Sequence, residues 1–214
     1  MALRNRVDPF GALCATRDRG TLFGNRGGCF HTPDKRARER PWASRQWICC
    51  VLSFKNRRRQ VWTKGYTELF FLDEVTALAA GHRPCFECRR ADAKAFQAAW
   101  RGAGVTRAPE MDRRLHAERL DGCMKRMHLR MVRDLPDGVM IARGGRAFAL
   151  RGGAMLEWSF AGYGAAAARP RGKVSVLTPP AIIECLERGY QPLWHASSGN
   201  SAASQSAGPA GRTS

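Results

Sequence analysis

The chain has 214 residues, 44% of them hydrophobic and 25% charged, which is the composition of a globular protein and excludes a disordered one. Its 36 lysines and arginines outnumber 18 aspartates and glutamates, and the formal net charge is +18. The apolar runs are too short or too interrupted to cross a bilayer, so we expect no membrane partner.

The positive charge is concentrated in the first part of the chain. Residues 1–60 carry 14 basic and 4 acidic side chains, a difference of +10 out of the total of +18. A field of this size attracts polyanions and releases their counterions on contact. An arginine-rich surface that only solvates the fold is the alternative interpretation. We predict nucleic acid, with DNA favoured over RNA, as the partner.

The eight cysteines indicate a reducing compartment. Residues 1–6 are basic but do not lead into an apolar core, so we expect no secretion signal and a cytoplasmic protein. In that compartment, closely spaced cysteines are more often metal ligands than disulfides. The isolated Cys14, Cys123 and Cys185 are expected to be small buried hydrophobic residues.

The first elements in chain order are extended. Residues 20–31 predict two short extended pieces around glycine turns, and the polar residues 32–45 predict a loop. Residues 46–54 are apolar and β-branched and predict a buried strand. After a basic turn, residues 60–63 predict a second strand, so that the two strands form a hairpin.

Two helices are predicted next, on either side of a cysteine pair. Asp73 is a good N-cap for a helix that runs through Ala80, and Gly81 ends it at the C′ position. Residues 85–88 read CFEC, and we call this segment the knuckle. A second helix is predicted over 91–101, with apolar residues on one face.

The knuckle has the spacing of a zinc site. Two thiolates separated by two residues can both point at one ion at about 2.3 Å, and the turn amides stabilise the sulfurs. Pro84 stiffens the entry, and the following helix brings amide dipoles near the anionic centre. A redox pair or unmetallated cysteines are the alternatives. We predict Zn²⁺ as the cofactor.

The second half predicts mixed elements. Residues 115–131 predict a helix with a break near Gly122, and residues 139–150 alternate around two glycines and predict a hairpin. A short strand at 174–177 precedes a helix at 178–188, which has prolines in its first turn.

These elements predict an α+β protein. Its first part, residues 1–105, would be a basic module in which zinc stabilises a β-hairpin and a helix. A linker at 102–109 would lead to a small mixed α/β domain, residues 106–196, whose type the sequence does not name. Residues 197–214 are rich in serine, alanine and glycine and predict a disordered tail.

Residues 71–90 read FLDEVTALAAGHRPCFECRR. This stretch resembles the second half of the Ada-type metal-binding domain, which has a phenylalanine, a short alanine-rich helix, Gly-aromatic-Arg-Pro-Cys and a second cysteine in a basic context. The resemblance extends more weakly back to residue 24 and so covers about residues 24–90. That module occurs on methyl-transfer DNA-repair proteins and on some nucleases. The second half of the chain resembles no family in this way.

The resemblance implies a zinc site with Cys85 and Cys88 as ligands and His31 as a third. Cys29 and Cys50 are the two candidates for the fourth ligand. We favour Cys50, because one strand can rarely aim both Cys29 and His31 at one ion. The family has a further cysteine where this chain has lysine, and its reactive Cys-x3-Cys pair is absent, so methyl transfer is not implied. His82 occupies an aromatic position of the family and is expected to pack rather than to ligate.

Basic runs are the candidates for phosphate contacts, and the tryptophans near the first run are candidates for base stacking. Of the tryptophans, Trp47 and Trp62 are expected in the core, and Trp42 is expected to be more exposed. The basic candidates are Arg57, Arg58, Arg59, Arg89, Arg90, Lys125 and Arg126.

We therefore predict a zinc-binding, nucleic-acid-binding protein with a role in DNA repair or processing. One alternative is a metal-dependent hydrolase or nuclease that uses His116, Glu118 and His128. We favour the simpler interpretation, that those residues form a solvated, salt-bridged helix face that contacts nucleic-acid phosphates. A zinc deaminase is disfavoured because His116 and Glu118 follow the cysteines instead of preceding them. A zinc-stabilised protein–protein adaptor is the second alternative.

Overall fold

The computed structural model describes residues 2–55, 61–63, 65–100 and 106–202. Helices and β-sheets are both present, so the predicted α+β class is confirmed. The helices are α1 (Glu74–Ala79), α2 (Arg90–Ala99), α3 (Ala108–Arg119) and α4 (Pro180–Glu187). The strands are β1 (Arg4–Val7), β2 (Leu13–Ala15), β3 (Leu22–Arg26), β4 (Trp47–Val51), β5 (Leu69–Phe71), β6 (Arg83–Pro84), β7 (Leu120–Asp121), β8 (Met124–Lys125), β9 (His128–Met131), β10 (Met140–Arg143), β11 (Arg146–Arg151), β12 (Ala154–Ser159), β13 (Gly162–Ala168) and β14 (Lys173–Val176).

The first sheet has the order β2-β1-β5-β3-β4-β6 within the described residues. The apolar, β-branched segment forms β4 as predicted, but its predicted hairpin partner is wrong. Residues 61–63 are turn and coil, and the antiparallel partner of β4 is β3, which pairs with it along five residues. Trp62 is instead buried, and its indole N–H donates to the carbonyl of Glu68. The other edge of β4 pairs in parallel with β6.

Gly24 in β3 allows this sheet to pack tightly. A Cβ at that position would lie 2.5 Å from the ring of Phe71 and 2.5 Å from the carbonyl oxygen of Ile48. Since real Cβ atoms do not approach so closely, only glycine lets β3 lie between β5 and β4 here.

The helix signals around the knuckle are confirmed. The carboxylate of Asp73 accepts the backbone N–H of Thr76 at 2.9 Å and caps α1. Gly81 follows the helix with φ of 84°, the left-handed conformation that ends helices. The predicted second helix corresponds to α2, and its buried face includes Phe96 and Ala99.

The helix predicted over 115–131 is correct only up to residue 119, although the chain turns at Gly122, where a break is predicted. α3 ends at Arg119, and the chain turns back in a β7–β8 hairpin around Gly122, whose φ is 59°. The next residues form β9, which pairs with β14. Gly122 adopts the left-handed conformation that a helix interior does not allow, so the chain reverses there although Leu120, Met124 and Met127 have helical spacing.

The second sheet is antiparallel, with the order β13-β12-β11-β10-β14-β9 in the described residues. The predicted hairpin around two glycines is the β10–β11 pair, with Arg143 opposite Arg146. The predicted strand and proline-led helix near the end are β14 and α4.

Apolar packing joins the two halves of the chain. One core cluster combines Leu78 and Phe96 with Leu115, Ile141 and Ile182. A polar network adds to it, since the carboxylate of Glu74 accepts the phenol O–H of Tyr190 at 2.6 Å. Part of the linker at 102–109, where the domain boundary is predicted, lies outside the described residues.

The predicted tail and the isolated cysteines differ in part from expectation. Residues 196–202 form a 3-10 helix, and Ser197 accepts the backbone N–H of Tyr163, while 203–214 lie outside the described residues. Cys185 is buried as predicted, Cys14 is half-buried, and Cys123 is exposed because it lies in the β7–β8 turn.

Across the described part of the chain, no helix combines the length and apolarity that a bilayer crossing requires.

Candidate metal centre and basic cleft

The pairing of β4 with the edge strand β6 brings the knuckle beside β4 in the first sheet. Cys49 lies opposite Pro84, and the backbone N–H of Cys85 donates to the carbonyl of Cys49 at 3.0 Å. Successive side chains of a strand point to opposite faces, so Cys49 enters the core and Cys50 faces the knuckle.

The sulfurs of Cys50, Cys85 and Cys88 all lie within 4.8 Å of one another, and this group, which we call the thiol cluster, can hold a metal ion. Cys50 and Cys85 are buried, and Cys88 is half-buried. Hydrogen bonds from the thiols of Cys50 and Cys88 lower the pKa of Cys85 to about 2. The same contact with Cys85 raises the pKa of Cys50. The protons that hold these sulfurs together are those that a bound cation would replace.

Buried ion pairs fix the knuckle on both sides. Arg83 donates twice to Asp112 of α3, at 2.8 Å each, and so fixes the strand just before the cysteines. Arg89, directly after Cys88, donates to the buried carboxylate of Glu74 at 2.7 Å. Such pairs, formed between fixed elements, hold the cysteine backbone in place without a metal.

A cavity of about 240 Å³ adjoins the thiol cluster. Its lining includes all three cysteines, the aromatic rings of Phe23 and Tyr66, and the carboxyl-bearing residues Glu68 and Glu87. Since zinc takes four ligands, the position left by three sulfurs is open to an oxygen donor or to a small molecule in this cavity.

The structure does not bring His31 or Cys29 to the thiol cluster. The imidazole of His31 contacts the hydroxyl of Thr67 at 2.8 Å and stacks on Trp62 at 5.2 Å. Cys29 is exposed, and its sulfur lies 3.6 Å from Nδ1 of His31. The hydroxyl of Thr67 also accepts the N–H of Phe30, so this segment is fixed against Thr67 and away from the sulfurs.

Only some of the predicted phosphate-contact residues are on the surface. Arg89 is not: it is buried, and its guanidinium contacts Glu74, Asp92 and the sulfur of Cys49. Arg90 and Arg126 are exposed. The run 57–59 lies outside the described residues.

Lys125 belongs to a larger feature, a basic cleft of about 860 Å³. Among the described residues that line it, seven are lysine or arginine and none is aspartate or glutamate. Four of these cations are exposed and three are buried or partly buried. The exposed ones are Arg4, Lys35, Arg36 and Arg38, and the others, which we call the cation trio, are Arg26, Arg119 and Lys125.

Aromatic rings line one part of this cleft. Trp47 is buried, and the guanidinium carbons of Arg26 and Arg119 lie 4.0 Å and 3.8 Å from its ring centre. Trp42 is half-buried at the cleft and lies 5.7 Å from the ring of His116. An indole that is partly open to solvent next to cations can stack on a nucleic-acid base.

Sequence reasoning missed Arg26 and Arg119, because nothing local marks them. Each is an isolated arginine at the end of a strand or a helix, and only the fold brings them together. The nearest local signal is Gly81. A Cβ there would lie 2.6 Å from Cδ of Arg119, so Gly81 leaves room for that side chain.

The three candidates for a hydrolase site have separate structural contacts. The imidazole of His116 accepts a hydrogen bond from Arg119 at 2.9 Å. Burial, and after it the charge of Arg119, lower the pKa of His116 to about 4. The carboxylate of Glu118 pairs with Arg114 and accepts the N–H of Ala181. The imidazole of His128 contacts the backbone carbonyl of Glu118 at 2.9 Å. Among the described residues, their side chains form no shared metal-binding group.

His82 packs as expected. Its ring lies 4.7 Å from that of Phe71 and 5.0 Å from that of Trp47, and it accepts from Arg26 at 3.4 Å.

In comparisons with protein-family models, curated proteins and solved structures, nothing matches this chain. The likeness to the Ada-type domain therefore stays a prediction, since three cysteine positions do not identify that domain.

Proposed function

We propose that this protein binds nucleic acid, DNA in particular, in the basic cleft. We also propose that a zinc ion at the thiol cluster stabilises the first sheet, to which β4 belongs. The observation that carries the proposal is the lining of the cleft, with seven cations and no carboxylate among the described residues. A role in DNA repair or processing rests on the resemblance of residues 24–90 and is part of the same proposal.

The cleft suits an unpaired strand. The exposed cations Lys35, Arg36 and Arg38 supply the phosphate contacts that release counterions. Trp42 supplies a ring on which an unpaired base stacks. A base inside a duplex does not offer its face to a side chain, so the preferred substrate is a single-stranded segment or an end.

Zinc is the ion that fits the thiol cluster best. Thiolate ligands favour zinc, copper(I) and iron–sulfur clusters over the hard ions magnesium and calcium. The cluster joins Cys50 of β4 to the knuckle of residues 85–88, and a structural zinc ion would cross-link these two segments. The fourth ligand would come from the adjoining cavity, where Glu68 and Glu87 are candidates.

The nucleic-acid proposal is tested with the full chain and short labelled oligonucleotides, by fluorescence anisotropy over a series of salt concentrations. We expect single strands to bind more tightly than duplexes of the same length, and the affinity to fall steeply with salt. The double variant Lys35→Ala/Arg38→Ala should lower the slope of log K against log salt by about 1.4, because each lost single-strand phosphate contact removes about 0.7.

The matched control is Arg130→Ala/Arg133→Ala, which removes the same charge from exposed arginines that do not line the cleft. We expect it to keep the wild-type slope. Equal slopes for both double variants, or binding that ignores salt, would refute the cleft as the binding surface. The exposed Met124, Met127 and Leu129 would then favour the adaptor alternative.

The zinc proposal is tested by elemental analysis and X-ray absorption on the purified chain. We expect one zinc per chain with three sulfur neighbours at about 2.3 Å and one oxygen or nitrogen. Cys50→Ser should lose the metal and Cys14→Ser, which changes a cysteine of β2 outside the cluster, should retain it. Metal that is retained in Cys50→Ser but lost in Cys29→Ser would place the site elsewhere.

A further inference from the structure

Three cations from distant parts of the chain line the same basic cleft. Arg26 ends β3, Arg119 ends α3 and Lys125 ends β8. Arg26 and Arg119 are each 1% exposed. Burial, and after it the charge of Arg26, lower the pKa of Arg119 to about 8.

The cation trio has no ion-pair partner among the described residues. The charge of Asp8 acts on Arg26 and Lys125 and that of Asp112 acts on Arg119, but neither carboxylate forms an ion pair with the trio, and Asp112 is paired with Arg83. Buried cations of native proteins are almost always paired with an anion, because an isolated buried charge is costly.

Neutral groups satisfy most of the trio's donors. Arg26 donates to the carbonyl of Gly11 at 2.8 Å, and Lys125 donates to the carbonyl of Ala79. Arg119 donates to the carbonyl of Gly81 at 2.9 Å, but its Nε is buried and has no partner in the described part of the chain. These contacts hold the side chains in place without neutralising them.

We propose that the cation trio binds a phosphate group. Three positive charges without an ion pair, together with the unpartnered Nε of Arg119, match the full negative charge of a phosphate better than the single charge of a carboxylate. The cleft of about 860 Å³ has room for a nucleoside beside that phosphate, with Trp42 within the same lining. The inference rests on the proposed function for the source of the phosphate, which is then a nucleic-acid strand.

A free nucleotide carries the same chemistry, so the test separates the two sources. Calorimetric titration of the full chain compares a nucleoside monophosphate, the corresponding nucleoside, inorganic phosphate and a short single strand. We expect the monophosphate to bind at least about tenfold more tightly than the nucleoside, which is the effect of one or more charge-assisted hydrogen bonds. This arm uses the wild-type protein only and does not depend on a variant that folds.

The variant arm compares Lys125→Gln with Arg126→Gln. Lys125 lines the cleft, and its neighbour Arg126 is exposed and does not. We expect Lys125→Gln to weaken the monophosphate by roughly tenfold or more and Arg126→Gln to leave it unchanged. Thermal melts of both variants check that each is folded.

The outcomes separate the two proposals. Strand binding with no advantage of the monophosphate over the nucleoside, or with equal affinities for the two variants, overturns the phosphate site and leaves the nucleic-acid function standing. Tight binding of the monophosphate without strand binding supports the phosphate site, makes a free nucleotide its ligand, and refutes the proposed function.

Discussion

Replacing Glu74 by glutamine removes the charge that neutralises a buried guanidinium beside the knuckle. Glu74 is fully buried, and its Oε2 accepts from Arg89 at 2.7 Å and from the N–H of Leu193 at 2.8 Å, while its Oε1 accepts the O–H of Tyr190 at 2.6 Å. Glutamine keeps the shape but brings its own N–H donors to a site that is filled with donors. The carboxylate therefore joins α1 to Arg89 and to the segment 190–193.

Removing one partner of a buried ion pair costs about 3–5 kcal/mol when the other charge loses its buried partner, and Arg89 would keep only the partly exposed Asp92. For a chain of this length that loss corresponds to a fall in Tm of roughly 6–20 °C. The assay is urea denaturation followed by circular dichroism, which gives the free energy of unfolding and the m-value separately.

Asp92→Asn is the matched control for this substitution. Asp92 contacts the same guanidinium of Arg89 at 2.9 Å, but its side chain is 40% exposed. A partly exposed ion pair contributes about 1 kcal/mol or less. If Glu74→Gln and Asp92→Asn lowered the free energy of unfolding by the same amount, the reasoning about the buried pair would be refuted.

Three further predictions concern the basic cleft. Burial is the main cause, and the charge of Arg119 the next, that lowers the pKa of Lys125 to about 7. The lysine therefore loses its proton, and with it its attraction for phosphodiesters, between about pH 6 and about pH 8.5. Anisotropy should show strand affinity falling over that range, and falling less in Lys125→Met. Trp42→Ala should weaken single-strand binding by about 1–3 kcal/mol without changing the salt slope, and an altered slope would contradict stacking. Gly81→Ala should destabilise the fold in urea by at least about 1 kcal/mol more than Gly144→Ala, because both have positive φ but only Gly81 faces a side chain, that of Arg119.

Local signals were sufficient for several elements. Asp73 and Gly81 mark the ends of α1, since an N-cap side chain and a left-handed glycine act within one turn of the helix. The two glycines after Arg143 mark the β10–β11 hairpin for the same reason. Each of these signals acts on residues close in sequence, so no knowledge of the fold is needed to interpret it.

The sites depend on contacts between distant residues and were only partly predictable. The spacing of Cys85 and Cys88 is local, but Cys50 joins them because β4 pairs in parallel with β6. The preference for Cys50 over Cys29 used the argument that one strand rarely aims two ligands at one ion, and the sulfur of Cys50 does lie beside those of the knuckle. The position of His31 depends on its contact with Thr67. No pattern in the sequence shows such a contact.

The composition predicts a positively charged surface, but it does not show which residues form the basic cleft. Arg89 is adjacent to a basic run and yet is buried, because Glu74 of α1 faces it from 15 residues away. Arg26 and Arg119 have no distinguishing sequence pattern, yet both line the cleft and both pack on Trp47. A count of charges cannot separate an arginine paired in the core from one that faces a ligand.

Photo-cross-linking shows whether nucleic acid lies in the basic cleft. A short single strand with one iodouracil is bound to the full chain and irradiated, and the adduct is located by mass spectrometry. We expect one main adduct, on the peptide that contains Trp42, and we expect it to be lost when an unlabelled strand competes. Adducts confined to peptides outside the cleft, or no adduct from a strand that is bound, would contradict this expectation.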